Sequence, residues 1–139
     1  MLISLQNLFN KEDLRIVYLE MDRTAFYYPK THTVFLNVDL CDTTQENFAV
    51  AHELAHFIEG HAELNALYPS KFYHGKIERE ANKLAIEILL GIFVENELTH
   101  ESQFVLDRFM YFYSIPTRLR DLCFNVCSEF FNNQDIILA

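Results

Sequence analysis

The feature that most constrains this chain is the run Ala51-His52-Glu53-Leu54-Ala55-His56-Phe57-Ile58-Glu59-Gly60, with His52-Glu53-x-x-His56 as its kernel. Residues four apart on an α-helix share one face about one turn apart, so both imidazoles can reach a single ion. Neutral imidazole is a good zinc ligand, and a catalytic zinc takes a third protein group and a water. Glu53 follows the first histidine directly. From there its carboxylate can stand beside that water without being a ligand, the position a general base needs. The same pattern can arise on any amphipathic helix, but the flanking residues favour a metal. Phe48, Val50, Ala51, Leu54, Ala55, Phe57 and Ile58 are apolar nearly all the way round, the mark of a buried helix. Two histidines and a glutamate in such a helix are expensive without partners, and a metal ion supplies them.

A chain of 139 residues fits one domain and can bury about two-thirds of its unfolded surface. We expect a single domain over 1–139: an N-terminal helix and small sheet (1–43), a zinc-binding helix pair (44–92) and C-terminal helices (93–139). The formal net charge of −9 argues against direct nucleic-acid binding through phosphates and is compatible with a basic protein partner. Cys41, Cys123 and Cys127 are odd in number and irregularly spaced, which is no disulfide framework. Cys123 and Cys127 read as core or interface thiols. The first residues lack a basic stretch and a small-residue cleavage site, so no signal peptide is expected. The apolar run from Leu84 to Val94 is short and holds Glu87, so no membrane span is expected and the cytoplasm is the default location.

Residues 2–12 carry Leu2, Ile3, Leu5, Leu8 and Phe9 at helical spacing. Leu14 to Leu19 reads as a strand. Ala25–Tyr28 and Thr33–Val38 flank Pro29-Lys30-Thr31-His32 and read as a hairpin with His32 solvated at its tip. The three strands are expected to form a small antiparallel sheet packed on a helical core that carries the zinc helix, an α+β fold. Thr43-Thr44-Gln45-Glu46 has the form of a capping box that starts the metal helix, and Gly60 suits its end. Residues 61–76 read as a loop that could hold a helical turn. A second helix is expected from about Ile77, with the stripe Ile77, Ala81, Leu84, Ile88 and Ile92, and Gly91 near its end. Residues 96–113 read as a third helix, broken at Ile115-Pro116, and a last helix reaches about Phe131. Phe109, Tyr111, Phe112, Tyr113, Phe130 and Phe131 are mostly core candidates that could leave an apolar surface; the oligomeric state stays open.

The zinc helix needs a third protein ligand. In the pattern with a downstream histidine, Gly and His would stand at the positions of Glu59 and Ala62, so Gly60 and His61 fall at the wrong steps. His61 is read as a helix-terminal residue that could also touch metal or substrate. The better candidate is a carboxylate on the second helix, where Glu78 and Glu80 compete. Glu80, next to the expected stripe, is the choice made from sequence. Glu87 shares the face of Glu80 and reads either as an acceptor for the free N–H of a zinc-bound histidine or as a rim carboxylate paired with Lys83 or solvent. Tyr73, His74 or His61 could supply a donor to a developing oxyanion.

His52-Glu53-Leu54-Ala55-His56 followed by Glu80-Ala81-Asn82-Lys83-Leu84-Ala85-Ile86-Glu87-Ile88-Leu89-Leu90 resembles the paired signature of ImmA/IrrE-type metallopeptidases. The hairpin from Tyr27-Tyr28-Pro29 to Leu36-Asn37 and Gly60-His61 at the helix end are also similar, so the resemblance covers about residues 20 to 92. It implies one zinc ion held by His52, His56 and Glu80, with Glu53 catalytic. It further implies a cytoplasmic endopeptidase that cleaves a helix-turn-helix transcriptional repressor and so relieves repression of a phage or mobile element. Ala55 and Gly91 stand where the family usually has Gly and Pro. From Thr99 onward the likeness is loose, and no room is expected before the hairpin for the N-terminal DNA-binding domain that many relatives carry. The alternative is a binding protein: a non-proteolytic antirepressor or toxin-like protein that sequesters its partner, with zinc as a structural staple.

Overall fold

The computed structural model describes residues 1–60, 71–97 and 104–131, with side chains left out at 71–74. The order is α1 (Ile3–Lys11), β1 (Arg15–Leu19), β2 (Ala25–Tyr28), β3 (Thr33–Asn37), α2 (Glu46–Ile58), α3 (Lys71–Glu97), α4 (Leu106–Phe112) and α5 (Arg120–Phe130), an α+β arrangement. Short 3-10 turns follow β2, follow β3 and precede α5.

The sheet is mixed, which corrects the antiparallel expectation. Its strand order is β1-β3-β2; β2 pairs with β3 antiparallel, and β1 pairs with β3 parallel. The hairpin itself is as expected, and His32 at its tip is exposed with left-handed φ. The difference lies in where the chain goes after β1. The connection passes across the end of β3, and Asn37 pins it there: its Nδ2 donates to the carbonyls of Met21 (2.8 Å) and Arg23 (3.1 Å), and its backbone N–H donates to Thr24 O (2.9 Å). Alternation along β3 then sets the faces. Val34 and Leu36 point into the core, while Phe35 stacks on Phe26 across the other face at 4.9 Å.

Helix α1 buries Leu5 and Phe9, one turn apart. α2 and α3 form the most extensive helix contact. Both present alanines that are fully buried, Ala51 and Ala55 on α2 and Ala81 and Ala85 on α3. Small residues at a helix contact bring the axes toward the short end of the usual 8–10 Å range. That closeness lets a short acidic side chain on α3 reach imidazoles on α2. At the far end of α3, Phe93 meets Phe104, Phe109, Phe112 and Tyr113 in mostly edge-to-face contacts. Phe109, Tyr113 and Phe131 are buried, whereas Tyr111, Phe112 and Phe130 are exposed. Cys123 and Cys127 are buried and Cys41 is exposed.

Four local expectations are corrected. Helix α3 begins at Lys71 rather than near Ile77, and it runs through Gly91 to Glu97. The buried neighbours Leu89, Leu90, Ile92 and Phe93 hold it past a glycine that costs only about 1 kcal/mol in a helix. The inward face of α3 is Ile77, Ala81, Ala85, Leu89 and Ile92; Leu84 and Ile88 are only partly buried. The capping box does not form. Thr43 Oγ1 donates to Leu40 O, and the Glu46 side chain turns inward to Tyr18. Of the expected 96–113 helix, Leu106–Phe112 is the described helical part beyond α3, and it ends at Ser114 with φ 52°. Gly60 does follow the end of α2, at φ 69°, a conformation that favours glycine. Among the described residues no helix is long and apolar enough to cross a membrane.

Candidate metal centre

His52 and His56 leave α2 on one face, as their spacing requires, with ring centroids 4.6 Å apart. The carboxylate that meets them is Glu78. Its Oε2 lies 3.0 Å from His52 Nε2, its Oε1 lies 3.1 Å from His56 Nε2, and the two Nε2 atoms are 3.1 Å apart. Among the described residues these three form the one group able to hold a metal ion, with ligand atoms all within 4.8 Å of one another. The residues fit such an ion. Ligands at 2.0–2.1 Å around a tetrahedral centre stand about 3.3 Å apart, close to each edge of this triangle. Two Nε2 atoms aimed at one carboxylate share a focus that a cation satisfies better than two protons do.

Glu80, chosen from sequence, is not in the group. Successive helical residues are rotated by about 100°, so Glu78 and Glu80 point about 200° apart. The stripe expected from sequence runs through Leu84 and Ile88; with the inward face through Ala81 and Ala85, Glu78 comes toward α2 and Glu80 lies on the opposite side of α3. Glu87 shares the face of Glu80 and is exposed, so it is not set to orient a histidine from within the site. His52 Nδ1, the atom such a partner would serve, is buried with no hydrogen-bond partner among the described residues. His61 lies outside the described residues. Tyr73 and His74 are on α3, but their side chains lie outside the description.

Glu53 lines the same cleft as the three candidate ligands. Burial pushes its carboxyl above the ordinary value, the Glu78 charge adds to this, and His52, His56 and Arg23 oppose it. Glu78 is driven the other way: hydrogen bonds with His52 and His56 hold it well below the usual carboxylate range, against the effect of burial. The two acids therefore differ in environment although they share one cleft. The sequence did not separate them by residue type, only by position.

The cleft measures about 850 Å³. One wall is Thr24 with Ala25, Phe26 and Tyr27 of β2, and the other includes Asn82 of α3 with Ser114, Pro116 and Arg118. Among the described residues β2 is an edge strand, paired with β3 alone. Asn82, four residues after Glu78 on the same face of α3, went unremarked from sequence. Its signal was a polar residue at an inward position, between Ala81 and Ala85.

Comparison with curated proteins finds no match, and comparison with solved structures finds none either. The family model described as the IrrE N-terminal-like domain, of the peptidase M78 type, matches residues 10–115. That span contains both histidines, Glu53 and Glu78, and it supports a metallopeptidase-type function. With the match spanning most of its length and the candidate metal group inside it, the chain belongs to the IrrE N-terminal-like peptidase family.

Proposed function

We propose that this protein is a zinc-dependent endopeptidase. The observation that carries the proposal is the convergence of His52, His56 and Glu78 on one point in a cleft that Glu53 also lines. His52, His56 and Glu78 would hold the zinc, which when bound supplies Lewis acidity that acidifies a water and polarises a carbonyl. Glu53 takes the proton from the attacking water as the C–O bond forms and the carbonyl π bond opens, then hands it to the amine, which leaves as the carbonyl re-forms and the peptide C–N bond breaks. The edge position of β2 supports a peptide substrate, because an edge strand offers backbone donors and acceptors to an extended segment laid beside it. We take the substrate to be a helix-turn-helix repressor of a phage or mobile element, and the site of action to be the cytoplasm. That choice rests on the family resemblance, and the acidic chain suits a basic DNA-binding partner.

Glu53→Gln tests the assignment. The variant should retain zinc by elemental analysis and lose about 10²- to 10⁴-fold in cleavage rate, the usual contribution of a positioned acid–base group. Zinc retained with undiminished derepression would instead identify a sequestering antirepressor whose metal is structural.

A further inference from the structure

We infer that Arg23 and Arg118 form an anion subsite of the cleft, one that selects substrates with an acidic side chain close to the scissile bond; this deepens the peptidase reading above and rests on it. Both arginines line the cleft that holds His52, Glu53, His56 and Glu78, and among the described residues no other Lys or Arg does. They approach from opposite walls, Arg23 from the connection into β2 and Arg118 from the 3-10 turn before α5. Neither makes an ion pair with a described residue, in a chain that has 20 acidic residues against 11 basic ones. Arg120, two residues on from Arg118, is paired, with Asp107. Arg23 is held in place: its Cζ lies 5.7 Å from the Phe26 ring centroid, and Asn37 Nδ2 donates to its carbonyl. Its charge is felt at Glu53, where it opposes the effect of burial. Coulomb interaction fades with distance, so this guanidinium stands near the reacting centre.

The chemistry of the ligand follows from the groups. A guanidinium stays charged at every working pH, and its planar fork matches a carboxylate. Two of them beside a divalent ion outweigh the carboxylates of Glu53 and Glu78, so the occupied cleft is positive inside a chain of net charge −9. A cleft concentrates such a field. The acidic body then attracts a basic protein, while the cleft selects a local acid within it. Reach sets how local. A cleft of about 850 Å³ is about 9–10 Å across, the length of about three extended residues. Whichever way the peptide runs, a carboxylate in this cleft lies within about three residues of the carbonyl under attack.

The test uses the full chain, zinc-loaded, and a randomised decapeptide pool with both ends capped, its cut sites read by mass spectrometry. Asp and Glu should be enriched at a position within about three residues of the cut. A selected peptide made with Glu or its isostere Gln there should differ about tenfold in kcat/KM, the low end for hydrogen bonds to a charged group because both arginines are exposed. The same ratio should appear in anisotropy binding to the Glu53→Gln protein and shrink at about 0.5 M salt. Arg23→Gln with Arg118→Gln should bring the ratio to about one, with zinc content and thermal midpoint unchanged. Arg23→Glu with Arg118→Glu should reverse it in favour of a Lys peptide, and a ratio of substrates cancels any effect on Glu53 itself. Equal rates on the Glu and Gln peptides would overturn the proposal, as would a preference that survives loss of both arginines. Cleavage confined to a parallel pool with free C-termini would also overturn it, by making the carboxylate a terminal one. Glu-selective binding without cleavage of any peptide would overturn the peptidase assignment and leave the anion subsite standing.

Discussion

Glu46 and Glu53 stand seven residues apart on α2, on nearly the same face, the first buried and the second half-buried, and the protein treats them in opposite ways. At the start of the helix, Glu46 is 1% exposed and has permanent donors. The Tyr18 hydroxyl donates to its Oε2 at 2.7 Å, and the Met1 ammonium lies 2.5 Å from its Oε1. Burial alone would raise its pKa, but these hydrogen bonds and the ammonium charge outweigh burial and hold it below the ordinary value. In the cleft, burial dominates and Glu53 is pushed up. A buried carboxylate with fixed donors ties α1, β1 and α2 together. One that faces an open cleft keeps its lone pairs for whatever enters.

The largest effect expected on the cleft side is in metal binding. Glu78→Ala should lower zinc affinity by more than about 100-fold, because loss of a ligand exceeds the 10- to 100-fold typical of outer-shell partners. Glu80→Ala should leave it unchanged, so a titration with a competing chelator separates the two carboxylates. The reverse result would remove Glu78 from the site.

On the structural side, Glu46→Gln should cost about 1–3 kcal/mol in urea denaturation, the range for disrupting a buried, charge-assisted hydrogen bond. Glu53→Gln should cost nothing measurable or stabilise slightly, since it replaces a poorly solvated acid with a neutral amide. Equal losses at both positions would erase the contrast between them.

The contrast also has a pH signature. Glu46 has a folded-state pKa below its ordinary 4.5. Its contribution is therefore fully present above about pH 4.5 and fades as pH falls through the lowered folded value. The stability gap between wild type and Glu46→Gln should be constant from about pH 7 to about pH 5 and shrink in stronger acid. A gap that widened in acid would mean that the folded protein holds Glu46 protonated.

The smallest effect concerns the helix that links the cleft to the aromatic end. A Cβ added at Gly91 meets nothing within 4 Å. Gly91→Ala should therefore stabilise by about 0.5–1 kcal/mol by reducing unfolded-chain freedom, readable as a raised denaturation midpoint without change in zinc affinity.

The sequence by itself determined the elements whose signal is local. His52 and His56 share a face because helical spacing dictates it, Pro29–His32 turns the chain between two strand-like runs, and Gly60 follows the end of α2 because its positive φ suits glycine. Tertiary structure decided what local pattern leaves degenerate. Helix α3 is apolar on so many sides that its rotation could not be read from Leu84, Ile88, Ala85 and Leu89 alone. A stripe drawn on the wrong side exchanges Glu78 for Glu80, and only the fit of Ala81 and Ala85 against Ala51 and Ala55 fixes which carboxylate meets the histidines. The direction of β1 was likewise open until Asn37 bound the connection crossing the end of β3. Periodicity sets which residues lie together on an element; packing energy between elements sets which way that face points.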